Sequence, residues 1–182
     1  MKNTLLFIWE TIKIVVLALL IVAPIRFLIF QPFFVKGQSM EPNFQNGDYL
    51  IIDELSYRFR EPQRGEVIVF KYPNDPSQRY IKRIIGLPGE TVKIEEGKVD
   101  VISQGGEKVL NENTYLPDAV FTPGAAEITL NPDEYFVMGD NRIASSDSRN
   151  WGALSRNLIV GRVLFRAWPF ASFAKFDSPV YE

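Results

Sequence analysis

Arg79-Tyr80-Ile81-Lys82-Arg83-Ile84-Ile85 alternates as a β-strand does, with Tyr80, Lys82 and Ile84 on one face and Ile81, Arg83 and Ile85 on the other. Outward from it, residues 49–53, 67–72, 127–130, 135–138 and 158–165 are short β-branched or aromatic runs separated by Gly, Pro, Asn and Asp. Gln31-Pro32-Phe33-Phe34-Val35 is too rich in proline and aromatics to extend a helix and suits an extended strand. The expected fold is a mainly β, antiparallel domain over 31–182. Within it, residues 90–116 carry their own alternation, with turns at Glu96-Gly97 and Gly105-Gly106. That pattern predicts a small hairpin subdomain, about 90–126, inserted in the main sheet.

Residues 1–30 read differently. The clean apolar stretch runs from 14 to 25, and extending it to Phe30 approaches the roughly 20 residues that span a bilayer. Lys13 and Arg26 sit near its ends, where long side chains can reach the interface. A single transmembrane anchor is the expectation, with a buried or interfacial helix as the alternative. No small-x-small site follows Ala18 or Ala23, so a cleaved leader fits poorly. The basic residues are too evenly split for charge to set an orientation.

Composition narrows the chemistry. The 182 residues include no histidine and no cysteine, which excludes a Ser-His-Asp triad, a thiol nucleophile and nearly every zinc site. A net charge of -2 without a Lys/Arg-rich run gives no attraction to nucleic acid. There is no nucleotide-binding loop, so neither metal nor other cofactor is expected. Gly37-Gln38-Ser39-Met40-Glu41-Pro42 is a turn-like segment directly after the apolar stretch. A hydrolase built on Ser39 needs a base other than histidine, and Lys82 is the candidate because its face of the strand is largely apolar. An ordinary lysine, with pKa about 10.4, is neutral in only about 0.4% of molecules at pH 8. Bringing it to about 8 takes roughly 3.3 kcal/mol of desolvation, within reach of burial on a β-face. The plainer readings are a lysine snorkelling from a sheet edge and a serine that only shapes a turn.

The wider pattern favours chemistry. Gly37-Gln38-Ser39-Met40-Glu41-Pro42, Arg64-Gly65-Glu66-Val67-Ile68-Val69-Phe70, Lys82-Arg83-Ile84-Ile85-Gly86-Leu87-Pro88-Gly89-Glu90, Gly139-Asp140-Asn141-Arg142 and Ser145-Ser146-Asp147-Ser148-Arg149 follow an apolar N-terminus in that order. Together they resemble the type I signal peptidases, over about residues 31–168. The resemblance implies a membrane-bound endopeptidase that removes signal peptides from exported preproteins. In it Ser39 is the nucleophile, neutral Lys82 the general base, and Ser145 the hydroxyl that orients the lysine amine. The N–H of Ser39 matches one oxyanion donor. Where some relatives place a Ser or Thr hydroxyl this chain has Gly37, so a second donor is expected from main chain or water.

Phe33, Val35 and Ile81 match family positions around the S1 and S3 subsites, implying small side chains there and Ala-x-Ala-like cleavage. Of the three, Ile81 is the weakest, because on a flat strand it points away from Lys82. Asp140, Arg142, Asp147 and Arg149 are expected to pair within their loop and hold Ser145, and Arg83 to pair with a carboxylate. Ile143-Ala144 departs from the polar residues of many relatives. Phe170, Phe173 and Phe176, near Trp168, can face lipid or the core. The implied partners are preprotein signal peptides and a lipid bilayer, with the β-domain on the non-cytoplasmic face of a bacterial-type plasma membrane or a thylakoid-type one. Two other readings stay open: a self-cleaving SOS-repressor-like Ser-Lys protein, disfavoured by the apolar N-terminus, and a tethered β-domain that binds without catalysis.

Overall fold

A computed structural model describes residues 2–28, 30–117 and 120–176, with side chains at 2, 3, 5 and 21–31 outside the description. Helix α1 (Lys2–Leu28) opens the chain, and β1 (Phe30–Phe34), β2 (Tyr49–Asp53), β3 (Val67–Tyr72) and β4 (Asp75–Gly86) follow. Next come β5 (Thr91–Glu95), β6 (Lys98–Ser103), β7 (Gly106–Val109), β8 (Ala126–Thr129) and β9 (Glu134–Met138). Helix α2 (Ser148–Trp151), β10 (Leu154–Ser155), β11 (Ile159–Trp168) and β12 (Ala174–Lys175) complete the chain.

All strand pairs are antiparallel, and they form two sheets. The larger runs β1-β2-β11-β3-β4-β9-β10, with β12 beside β11, and the smaller runs β7-β6-β5-β8. The fold is thus mainly β. The short runs read from the sequence at 49–53 and 67–72 are strands with those bounds.

Alternation sorts the larger sheet's side chains between two apolar layers. Val67, Val69 and Ile81 pack with Leu50, Ile52, Val163, Met40 and Phe44. Ile68, Phe70 and Ile84 pack on the other face with Tyr135, Val137 and Leu154. Central β3 faces apolar side chains on both sides, which is why its first four residues are all apolar and buried. A third cluster joins Ile85, Phe136 and Met138 to Val92, Ile94, Val99 and Val101 of the smaller sheet.

The N-terminal stretch is helical as far as Leu28, yet among the described residues no helix is long and apolar enough to cross a membrane. Half of the expected anchor, including Arg26, lies where side chains are not described. From Leu6 to Leu20 the large apolar side chains of α1 are exposed.

Among the described residues β1 is an edge strand of the larger sheet, and β9 covers β4 over only part of its length. Strand β1 pairs only with β2. Strand β4 pairs with β9 only from Arg83 onward.

Candidate active site

The turn carrying Ser39 is held from both ends. Met40 and Phe44 are buried in the first apolar layer, and Phe44 N–H donates to Met40 O at 2.9 Å. Gly37 has φ +90°, a conformation that glycine adopts without a Cβ penalty. Its N–H donates to Asn46 Oδ1 at 3.0 Å. Ser39 itself is half-buried.

Lys82 is 4% exposed. Its Nζ lies 2.8 Å from Ser39 Oγ and 2.9 Å from Ile81 O, with the Tyr80 ring centroid at 5.5 Å. Burial lowers its pKa from the ordinary 10.5 to about 8, against the opposing pull of the Asp147 and Asp140 carboxylates. Near pH 8 the amine is therefore neutral in about half of the molecules and can accept the Ser39 hydroxyl proton.

Around this pair opens a cleft of about 630 Å³, lined among others by Phe33, Phe34, Ile81, Tyr80, Ala144 and Ser146. Phe33 and Ile81 thus share a wall with Ser39 and Lys82, although Ile81 is out of phase with Lys82 along the strand. Val35 does not line it. It is 1% exposed and packs with Leu50, Ile52 and Val67, because its N–H and C=O bind Asp48 and Gly47 and turn the side chain into the core. Phe34, 53% exposed, lines the cleft instead. Ile143 is 84% exposed beside it.

Ser145 departs from expectation. Its Oγ is buried with no hydrogen-bond partner among the described residues, Lys82 included, although it lies near enough to Asp147 to help hold that carboxyl down. The hydroxyl rests against Gly139. A Cβ on Gly139 would lie 2.2 Å from Ser145 Oγ and 2.3 Å from Ser39 O, so only glycine lets these two segments converge.

The loop charges pair differently from the expected internal arrangement. Only Asp147 and Arg149 pair with each other, at 2.8 Å. Asp147 also caps α2 and accepts Gly139 N–H at 3.0 Å. Burial works to raise its pKa, but Arg149 and the Gly139 N–H hold it below the usual carboxylate value. Asp140 instead takes a bidentate pair from Arg83, with Nε to Oδ1 at 2.8 Å and Nη2 to Oδ2 at 2.6 Å. Arg142 reaches the segment between β7 and β8, where Glu112 accepts at 2.6 and 2.7 Å and Thr122 Oγ1 at 2.7 Å.

Several members of this network carried no sequence signal. Asn43 Nδ2 donates to Asp140 Oδ2 at 2.8 Å and to Tyr115 O at 2.7 Å, and Arg83 stacks over the Tyr115 ring at 4.0 Å. Asn141 N–H donates to Ser39 O at 3.1 Å, tying the loop to the turn. At the C-terminal end the Phe176 ring packs on Phe44, with centroids 4.4 Å apart and the planes tilted by 34°, whereas Trp168, Phe170 and Phe173 are exposed. Among the described residues no three His, Cys, Asp or Glu side chains are grouped to hold a metal ion.

The family model "Signal peptidase, peptidase S26" matches residues 8–168. The probable signal peptidase I-1 of Synechocystis sp. is 34% identical over 179 residues, covering 94% of this chain and 88% of that one. A second Synechocystis protein, probable signal peptidase I-2, is 38% identical over 163 residues, with 86% and 72% covered. Signal peptidase I of Bacillus caldolyticus is 35% identical over 168 residues, with 86% and 90% covered.

Proposed function

The chain belongs to the signal peptidase family S26, and from that premise we propose that it cleaves signal peptides with Ser39 as nucleophile and neutral Lys82 as general base. As a member it is a peptide-bond hydrolase that removes signal peptides. The observation that carries the dyad is the 2.8 Å approach of Lys82 Nζ to Ser39 Oγ inside a cleft, with the amine desolvated.

In the proposed reaction the amine accepts the Ser39 hydroxyl proton as Oγ attacks the scissile carbonyl, and then returns a proton to the leaving amine. Water activated by the same lysine hydrolyses the acyl-enzyme. The developing oxyanion meets the Ser39 N–H, which has no intramolecular acceptor among the described residues. Ser145 acts by packing against Gly139 beside the pair rather than by bonding the amine.

The substrate lies extended between β1 and β4, and main-chain hydrogen bonds to those strands supply affinity. Phe33 and Ile81 narrow the wall beside Ser39 and support a preference for small residues, of the Ala-x-Ala kind. We assign 1–30 as membrane anchor and 31–182 as catalytic domain, with residues of about 90–126 as its inserted subdomain. The exposed apolar side chains of α1 support the anchor. A neighbouring row, Phe34, Tyr49 and Trp168, paired across β1, β2 and β11 and exposed on all three, supports a catalytic domain lying against lipid, and we assign that domain to the non-cytoplasmic side.

The test is cleavage of a preprotein by the full chain in detergent. Ser39→Ala and Lys82→Ala should each abolish it while circular dichroism stays unchanged. Cleavage by folded Lys82→Ala at the unaltered rate would remove the proposed base.

A further inference from the structure

We propose that Glu112 is a positioning residue for peptide hydrolysis: through Arg142 it locks the 139–147 loop against the turn that carries Ser39. The proposal rests on Ser39 and Lys82 as the reacting pair. Glu112 lies between β7 and β8, distant in sequence from every motif of the site, and touches no reacting atom.

The geometry is a chain of short, buried contacts. Arg142 is 2% exposed and uses three nitrogens. Nη1 and Nη2 donate to the two Glu112 oxygens at 2.7 and 2.6 Å, Nη1 also to Thr122 Oγ1 at 2.7 Å, and Nε to Gly139 O at 3.1 Å. The guanidinium thereby bolts the start of the loop to the 110–122 segment. Tyr115 OH donates to Glu112 as well, and the Tyr115 ring lies under Arg83, the partner of Asp140. One segment thus braces both buried arginines of the site.

At Gly139 there is no slack. The hypothetical Cβ position is filled by Ser145 Oγ and Ser39 O, and Asn141 N–H bonds that same Ser39 carbonyl. Releasing Arg142 frees Gly139 and Asn141 together, and the Ser39 turn loses its backing. A buried guanidinium without its carboxylate cannot remain in place at little cost, so the loop must move to hydrate it.

The consequence reaches the amine. Exclusion of water lowers the pKa of Lys82, and the charged groups around it are Asp140 and Asp147, their partners Arg83 and Arg149, and Lys36 and Arg79 on the cleft wall. A displaced loop admits water to Lys82, which favours the ammonium and moves the acid limb of kcat/KM to higher pH.

The full chain in detergent is assayed on a signal-peptide substrate across pH, with Glu112→Ala, Thr122→Val, Thr122→Ser and, as control, the exposed β7 variant Lys108→Ala. Glu112→Ala should lower kcat by about ten- to a hundredfold with KM little changed, and raise the acid limb. Thr122→Val should do the same to a smaller extent, Thr122→Ser should restore it, and Lys108→Ala should match wild type. Unchanged kcat and acid limb in Glu112→Ala, whatever happens to its Tm, overturn the proposal. If Glu112→Ala does not fold, identical profiles for Thr122→Val and Thr122→Ser overturn it. Cleavage by Ser39→Ala would instead overturn the reacting pair.

Discussion

Lys82→Met removes the buried amine and keeps an unbranched side chain of similar length. In the folded protein burial holds this pKa near 8, while the unfolded chain has the ordinary 10.5. Between those values the unfolded state binds more protons, so the lysine's contribution to stability rises with pH across that window. Below about pH 8 both states are protonated and the destabilisation is fully present, at 1.36 kcal/mol per pH unit about 3 kcal/mol. By pH 10 it has fallen to about 1 kcal/mol. Methionine escapes this cost but forfeits the amine's hydrogen bonds to Ser39 Oγ and Ile81 O, about 1 kcal/mol each. The variant should therefore be inactive yet more stable than wild type at pH 7 by about 1 kcal/mol, and the difference should move by about 2.5 kcal/mol in favour of wild type between pH 7 and 10, reversing its sign. Other lysines titrate alike in both proteins and cancel in the difference. Urea unfolding of the two full chains in the same detergent, at half-unit pH steps, reads it. A stability difference constant across pH would refute the reasoning, because the amine would then bind its proton equally well folded and unfolded.

With the same amine as the proposed base, kcat/KM should rise about tenfold per pH unit below about pH 8 and level off above it, whereas a flat profile from pH 6 to 9 would contradict a titrating lysine base. Gly139→Ala places a Cβ 2.2 Å from Ser145 Oγ and 2.3 Å from Ser39 O, so kcat should fall by at least about tenfold, checked by single-turnover cleavage. Asp140→Asn takes the counter-charge from the Arg83 guanidinium, whose side chain is 6% exposed, and should lose about 3 kcal/mol in urea unfolding, with Arg83→Met in the same chain recovering part of it. Phe33→Ala widens the cleft wall, so substrates with leucine at the cleavage site should gain on those with alanine in competition assays.

Local information reaches a definite distance along this chain. Period-two alternation identifies 49–53 and 67–72 as strands because each residue needs only its neighbours to choose a face. Strand β4 begins four residues before the readable run, at Asp75-Pro76-Ser77, where no β-former occurs, because the ladder to β3 carries it there. Residue types nominate Ser39 and Lys82 in the same local way: without histidine or cysteine, a serine hydroxyl has few bases to turn to.

Tertiary structure decides what lies across long separations. Met40 and Phe44, flanking Ser39, sit in one apolar layer, and Ile84, which shares the face of Lys82, sits in the other. The amine and the hydroxyl meet where β9 stops covering β4, a boundary that no single strand encodes. Ion pairs follow the same logic. A sequence of alternating charges fixes which partners are chemically able to pair, but Arg142 chooses Glu112 over its loop neighbours because burial leaves that carboxylate within reach of both its nitrogens. Val35 goes to the core, and Ser145 rests on Gly139 instead of the lysine, for the same reason. Sequence alone determined strands such as 49–53 and 67–72, the turn and the candidate chemistry, since these depend on neighbours a few residues away. Partners, burial and the depressed lysine pKa depend on which distant segments exclude water together, and the folded arrangement alone determines that.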